Sequence, residues 1–365
     1  MLFSAVVDPK AFSSEAINDV DSAKSALSFL YAVMANGVLL SSRLDDILRE
    51  LLEEASKPVS PDSIDHRVAL RTVLTEMRKG ENSYVVKGVV DPPSRGRGSI
   101  EAQLLRSIAV DLKPDLVVSK NEADRDSLVA TVEAEVCEIS RYLYSEMERE
   151  RVKLLSPRKP FNKLSQTDRE ENLGKLIRYA KRIFIVDKMV GRHLRGDSVE
   201  MRKKQIRPIL EGAARLVHLW RDERFAYKGK EAVEIILYTE AKNSSHADGL
   251  KIPVQQAIEE TGEVFEEVWE KYGSGKCKFS VELRTDGEKQ EFHARFLSAV
   301  MDEGGAISQG RCVQIDPGMK ALGKILQGND HTMLITPPCG ANSEAVAIID
   351  KLASCCEPPR PPVCL

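Results

Sequence analysis

The sequence predicts an α/β protein built as two mixed α/β domains, and three observations lead there. At 365 residues the chain exceeds one typical domain. Short apolar runs alternate with amphipathic stretches of helical spacing along most of its length. That periodicity lapses across residues 151–172, a polar stretch with two prolines and several basic residues. The expected organisation is therefore a domain over 1–150, a basic linker over 151–172, a second domain over 173–352, and a disordered Pro/Cys-rich tail over 353–365.

Composition narrows the function classes. A hydrophobic fraction of 42% suffices for real cores, and a charged fraction of 30% suits a soluble, helix-rich chain. The net charge of -3 gives no global pull towards nucleic acid, so such binding needs a local patch. Aromatics at 5% argue against extended base-stacking platforms. No apolar stretch approaches the ~18 residues of a membrane span, and no signal peptide is evident. The seven cysteines form no CxxC pair, which argues against zinc and for reduced thiols in the cytoplasm.

In the first domain, Phe3 to Val7 is a β-prone run ending at Asp8. A helix with Ala26, Phe29, Leu30 and Val33 on one face stops at Asn36-Gly37. Val38 to Leu40 is a second strand, and the helix RLDDILRELLEEA then presents Leu44, Ile47, Leu48, Leu51 and Leu52 as a buried stripe. Residues 63–79 read as a helix, Tyr84 to Val90 as a strand, and DPPSRGRGS as a flexible basic loop. The helix SIEAQLLRSIAVDL follows, then a strand at Leu116 to Val118, and a long helix from about Leu128 to Glu150 closes the domain.

In a parallel sheet, ligands bind beyond the carboxyl ends of the strands. Asp8 and the Glu122/Asp124 pair fall there, and Asp45 or Asp46 and Glu101 begin helices that could face the same crevice. Converging carboxylates of this kind would hold one or two Mg²⁺ or Mn²⁺ ions, which activate water and clamp a phosphate. The blocks VVDPKAF, GVLLSSRLDDILREL and SIEAQLLRSIAVDLKPDLVVSKNEAD resemble those of PIN-type ribonuclease domains over roughly residues 3–130. That resemblance implies metal ligation by Asp8, Asp46, Glu101 and either Glu122 or Asp124, although Ser119-Lys120-Asn121 stands where the last strand of the family delivers its Asp.

In the second domain, Leu173 to Ala180 is a helix leading into the strand IFIVDKM. Residues 199–219 form an amphipathic helix through Ile206, Ile209, Leu210, Ala213, Leu216 and Val217. Val233 to Tyr238 is a strand and Pro253 to Tyr272 a helix. Lys278 to Leu283 and Phe292 to Leu297 are strands joined by the turn Thr285-Asp286-Gly287. Ala306 to Ile315 is a strand, 318–326 a short helix, Thr332 to Thr336 a last strand and Ser343 to Leu352 a last helix.

His293 and Arg295, two apart in the run EFHARFL, project from one face of an extended strand and could bind or attack a phosphodiester. His193 and His246 stand in polar contexts, and Asp187 at a strand end could orient one of these side chains. The succession from IFIVDKM through EFHARFL to a helix led by Gly318 resembles the phospholipase D superfamily over roughly 175–352, especially domains similar to the C-terminal module of MIT-domain proteins. The resemblance implies a catalytic set of His293, Arg295 and Asp187, with Arg295 where active members carry Lys and Val300 where they carry Asp. A dimer would supply the second histidine.

Together these readings favour a nucleic-acid-processing protein: a metal-dependent nuclease in a PIN-like domain followed by a phosphate-binding PLD-like module. The resemblances imply a bacterial antiviral or conflict-system effector. Arg95, Arg97, Arg158 and Lys159 are the expected contacts to an RNA or DNA backbone. Two alternatives stand beside this one: a non-catalytic subunit that docks a partner protein, and a PLD-like phosphodiesterase using His293.

Overall fold

The computed structural model describes residues 3–57, 64–93, 99–155, 164–240, 250–272, 277–284, 295–303, 305, 310–316, 318–327 and 334–335. The protein is mixed α/β, and its chain divides into two compact units, residues 1–156 with 227–230 and residues 157–226 with 231–365. No helix among the described residues is long and apolar enough to cross a membrane.

The first unit runs β1 (Phe3–Val7), a 3₁₀ turn (Pro9–Phe12), α1 (Val20–Asn36), β2 (Gly37–Ser42), α2 (Ile47–Ser56), α3 (Ile64–Lys79), α4 (Glu81–Tyr84), β3 (Val85–Gly88), α5 (Ile100–Leu112), β4 (Leu116–Ser119), α6 (Glu122–Val129) and β5 (Glu135–Glu138). A second 3₁₀ turn (Ile139–Tyr144) and α7 (Glu146–Leu155) complete it. All five strands pair in parallel, in the order β3-β2-β1-β4-β5. The winding reverses between β1 and β4, which opens a crevice at their carboxyl ends. Phe3, Ala5, Val7, Leu39, Leu116 and Val118 join one core with Phe29, Leu48, Leu51, Leu74 and Tyr142. Such continuous apolar strands are what a sheet covered on both faces needs.

Two expectations for this unit fail. The long helix from Leu128 to Glu150 is replaced by α6, β5, the 3₁₀ turn and α7. Glu135–Glu138 takes the edge position beside β4, with Leu116 opposite Glu135, so sheet pairing overrides helical spacing. The Glu135 carboxylate then accepts the Glu146 and Met147 N–H groups, both at 2.7 Å, and so starts α7. Leu44 is 95% exposed rather than buried, because Asp46 caps α2 through the Arg49 N–H and leaves Leu44 in the preceding turn.

The second unit runs α8 (Gln166–Ile177), β6 (Arg182–Val186), α9 (Lys188–His193), α10 (Val199–Arg221), a 3₁₀ turn (Glu223–Phe225), β7 (Val233–Glu240), α11 (Val254–Tyr272), β8 (Cys277–Arg284), β9 (Phe296–Val300), β10 (Arg311–Asp316), α12 (Met319–Ile325) and β11 (Leu334–Ile335). The described strands order as β11-β10-β9-β6-β7-β8, parallel from β6 to β8 and antiparallel on the other side. The expected hairpin across Thr285-Asp286-Gly287 is therefore absent: β8 is separated from β9 by β7 and β6. α8 begins at a Ser165–Asp168 capping box, inside the stretch expected to be a polar basic linker. The predicted helix over 343–352 and the tail over 353–365 lie outside the described residues.

Two contacts fix the helix layer. Arg202 of α10 forks onto Glu260 of α11 at 2.8 and 2.6 Å, with both side chains buried. Gly212 of α10 lies against α12 so closely that a Cβ there would fall 2.2 Å from the Met319 carbonyl oxygen. Gly262 of α11 has nothing within 4 Å of the same position. Gly212→Ala should cost about 1–3 kcal/mol by overpacking, whereas Gly262→Ala should gain up to about 1 kcal/mol from helix propensity. Denaturant midpoints that move together for the two variants would contradict this packing.

Candidate functional site

The carboxyl end of β1 is where the described side chains offer chemistry. Asp8 follows Val7 directly, and its backbone N–H donates to the Val118 carbonyl at 2.9 Å, which ties it to β4. Its Oδ1 accepts the Lys10 N–H at 2.9 Å as the cap of the 3₁₀ turn. Arg67 of α3 braces the following loop by donating to the Phe12 and Ile17 carbonyls at 2.7 and 3.4 Å. The second Asp8 oxygen, Oδ2, is buried and has no hydrogen-bond partner among the described residues, and Asp8 as a whole is only 1% exposed. Such an oxygen is costly, and an explanation is required for it.

Two helix starts approach this carboxylate. Ser99 caps α5 by accepting the Ala102 N–H and donates its own hydroxyl to Asp124 Oδ1 of α6 at 3.0 Å. Glu101, in the first turn of α5, pairs with Lys10 Nζ at 2.5 Å. Burial lifts the Asp8 carboxyl above the ordinary aspartate value; Asp124 and Glu101 push the same way, and the Lys10 N–H opposes them. The hydrogen bond from Lys10 holds Glu101 below its ordinary value.

Asp8 also lines a cavity of about 260 Å³ between α2 and α5. Its walls are apolar, with Val6, Leu40, Ile47, Leu104, Leu105 and Ile108, and its acids are Asp8, Asp45, Glu50, Glu53, Glu54 and Glu101, with Lys10 beside them.

The predicted metal ligands thus separate. Asp8, Glu101 and Asp124 are electrostatic neighbours. Asp46 is spent on capping α2 and stands within 4 Å of Arg49 and Arg78. Glu122 pairs with Arg125 at 3.1 Å. Asn121 and Ser119 have local roles: Asn121 caps α6, and the buried Ser119 hydroxyl reaches the Asn121 and Cys137 carbonyls. No group of three or more His, Cys, Asp or Glu among the described residues has metal-binding geometry. Sequence reasoning passed over Lys10, Glu50 and Glu54; a Lys two residues after a strand-end Asp was the available signal for the first.

In the second unit Asp187 and Arg295 do come together. Asp187 is 2% exposed; its Oδ1 accepts the Met189 N–H at 2.9 Å and its Oδ2 the Met319 N–H at 3.1 Å. One carboxylate therefore caps both α9 and α12, while Arg295 Nε stands 3.6 Å away. Gly318, at φ 111°, closes the group, since a Cβ there would lie 2.5 Å from Arg295 Cδ and 2.8 Å from Asp187 Oδ2. Burial raises the Asp187 carboxyl, against the pull of the two N–H groups and Arg295. His193 is half-buried beside this group, its imidazole pushed down by burial and then by Lys320. His293, His246, Arg95, Arg97, Arg158 and Lys159 lie outside the described residues.

No family model matches the chain, and neither a curated protein nor a solved structure matches it.

Breaking the Asp187 group with Asp187→Ala takes the acceptor from the Met189 and Met319 N–H groups and a carboxylate from beside Arg295, and should cost about 3–5 kcal/mol in denaturant unfolding; a change below ~1 kcal/mol would refute the double cap. Asp8 carries the opposite sign. An aspartate raised in the native state stabilises fully below its ordinary value of 3.8, and loses that contribution as pH rises through the native value. At neutral pH its charge therefore weighs against the fold. In metal-free buffer Asp8→Asn should melt above the parent at pH 7, with the gap closing as pH falls towards 3.8. An unchanged or lower melting temperature at pH 7 would contradict the burial of an unmet oxygen.

Proposed function

We propose that the first unit is a divalent-cation-dependent phosphodiesterase acting on RNA or DNA, with Asp8 as the central ligand. The observation that carries this reading is the buried, unpartnered Asp8 Oδ2 at the carboxyl end of β1, beside the point where the parallel sheet reverses its winding. A destabilising carboxylate, with one oxygen fixed by the Lys10 N–H and its backbone tied to Val118, has the character of a functional group kept at the expense of stability.

The residues divide the work. The Lys10 N–H fixes Asp8 Oδ1 and so sets the direction of Oδ2. Ser99 orients Asp124 as the second oxygen donor. Lys10 Nζ neutralises Glu101, which keeps the local negative charge from repelling an incoming phosphodiester. A bound Mg²⁺ or Mn²⁺ would supply an activated water and charge stabilisation for the phosphoryl oxygens. The mixed sheet of the second unit, with Asp187 and Arg295 serving as its internal brace, is assigned substrate binding rather than cleavage.

Cleavage of labelled single-stranded RNA and DNA should require Mg²⁺ or Mn²⁺, stop with EDTA, and fall in Asp8→Asn by more than the ~10–100-fold typical of losing a supporting residue around a metal. His293→Ala should cleave at the parent rate. Activity that survives EDTA and Asp8→Asn, or is lost with His293→Ala alone, would sink the assignment.

A further inference from the structure

The cavity at Asp8 is lined by α2 and α5 and not by Asp124, and its chemistry differs from that of a metal site. The walls contributed by Leu40, Ile47, Leu104 and Leu105 are aliphatic. The acids sit at separate places: Asp8 and Glu101 at the ends of β1 and α5, and Asp45, Glu50, Glu53 and Glu54 around the start and body of α2. An apolar slot between separated carboxylates is poor for a compact hydrated ion and good for an aliphatic chain with an ammonium at each end.

Two further facts point to such an occupant. Asp8 lines this cavity, and its Oδ2 is a buried acceptor with no donor among the described residues. The chain's own lysine already seats an alkylammonium among the lining residues, where Lys10 Nζ meets Glu101. Burial also lifts Asp45 and Glu50 above their ordinary values, so both would gain from a cation brought to them.

We infer that this cavity binds an aliphatic di- or polyamine, with one ammonium on Asp8 Oδ2, the alkyl chain along Leu40 and Leu104, and the second ammonium on the α2 carboxylates led by Glu50. The inference uses the same Asp8 oxygen as the phosphodiesterase reading but does not need that reading to hold. Where both hold, the amine and the divalent cation exclude one another, and the amine is an inhibitor of cleavage.

Isothermal titration of the full chain with diamines from 1,3-diaminopropane to 1,6-diaminohexane, at matched ionic strength and without divalent ions, tests the site. At least one diamine should bind saturably, and 1-aminopentane and Nα-acetyl-lysine amide should bind more weakly, since each offers one ammonium. Asp8→Asn and Glu50→Gln should each weaken binding about tenfold or more, the size expected for losing a hydrogen bond to a charged group. Absence of saturable diamine binding, or equal binding by parent and both variants, overturns the inference. Tighter binding of the acetyl-lysine amide overturns the free-amine assignment in favour of a lysine-bearing peptide. Metal-dependent cleavage without diamine binding leaves the phosphodiesterase standing alone, and diamine binding without cleavage under any metal leaves the amine site standing alone.

Discussion

A carboxylate taken out of water must have its oxygens met by donors, and both sheets answer that requirement at their strand ends. Asp187 meets it in full, with one helix N-terminus on each oxygen and Arg295 alongside. Asp8 meets it by half. The same residue type after the same kind of strand thus ends as a fully met brace in one unit and as a half-met buried acid in the other. The difference lies in how many backbone N–H groups the surrounding loops turn inward.

The parallel order β3-β2-β1-β4-β5 makes the second outcome possible. Reversal of winding between β1 and β4 leaves no crossover above their ends, so the chain after Asp8 leads away and the helix starts at Ser99 and Asn121 come in from the sides. Hydrogen bonds that cap helices, such as Ser99 to Ala102, then also orient acids, as Ser99 does for Asp124. Local capping and site assembly are here one set of interactions.

Much of the alternation of strands and helices was legible because each buried strand is a short apolar run closed by a polar residue, as Ile183–Val186 is closed by Asp187. Errors arose where a partner decided the conformation. Glu135–Glu138 carries no alternation that marks a strand and becomes one only beside β4. Leu44 has the spacing of a helix face, but the Asp46 cap sets the start of α2 beyond it. Asp8 and Glu101 could be placed at a crevice from their positions after a strand and at a helix start. That Asp46 and Glu122 would be taken by Arg49, Arg78 and Arg125 depended on side-chain reach, which spacing does not encode. The apposition of Asp187 and Arg295 was visible as two motifs, but their bond was not.

The double cap at Asp187 also orders events during synthesis. Its Met189 partner lies two residues downstream, whereas the Met319 N–H is 132 residues away in the chain. While a ribosome is still translating the intervening segment, β6 and β7 can pair but Asp187 Oδ2 lacks its donor. The centre of the second unit therefore closes only once Met319 has been made, so this contact carries a large loop-closure cost and forms late.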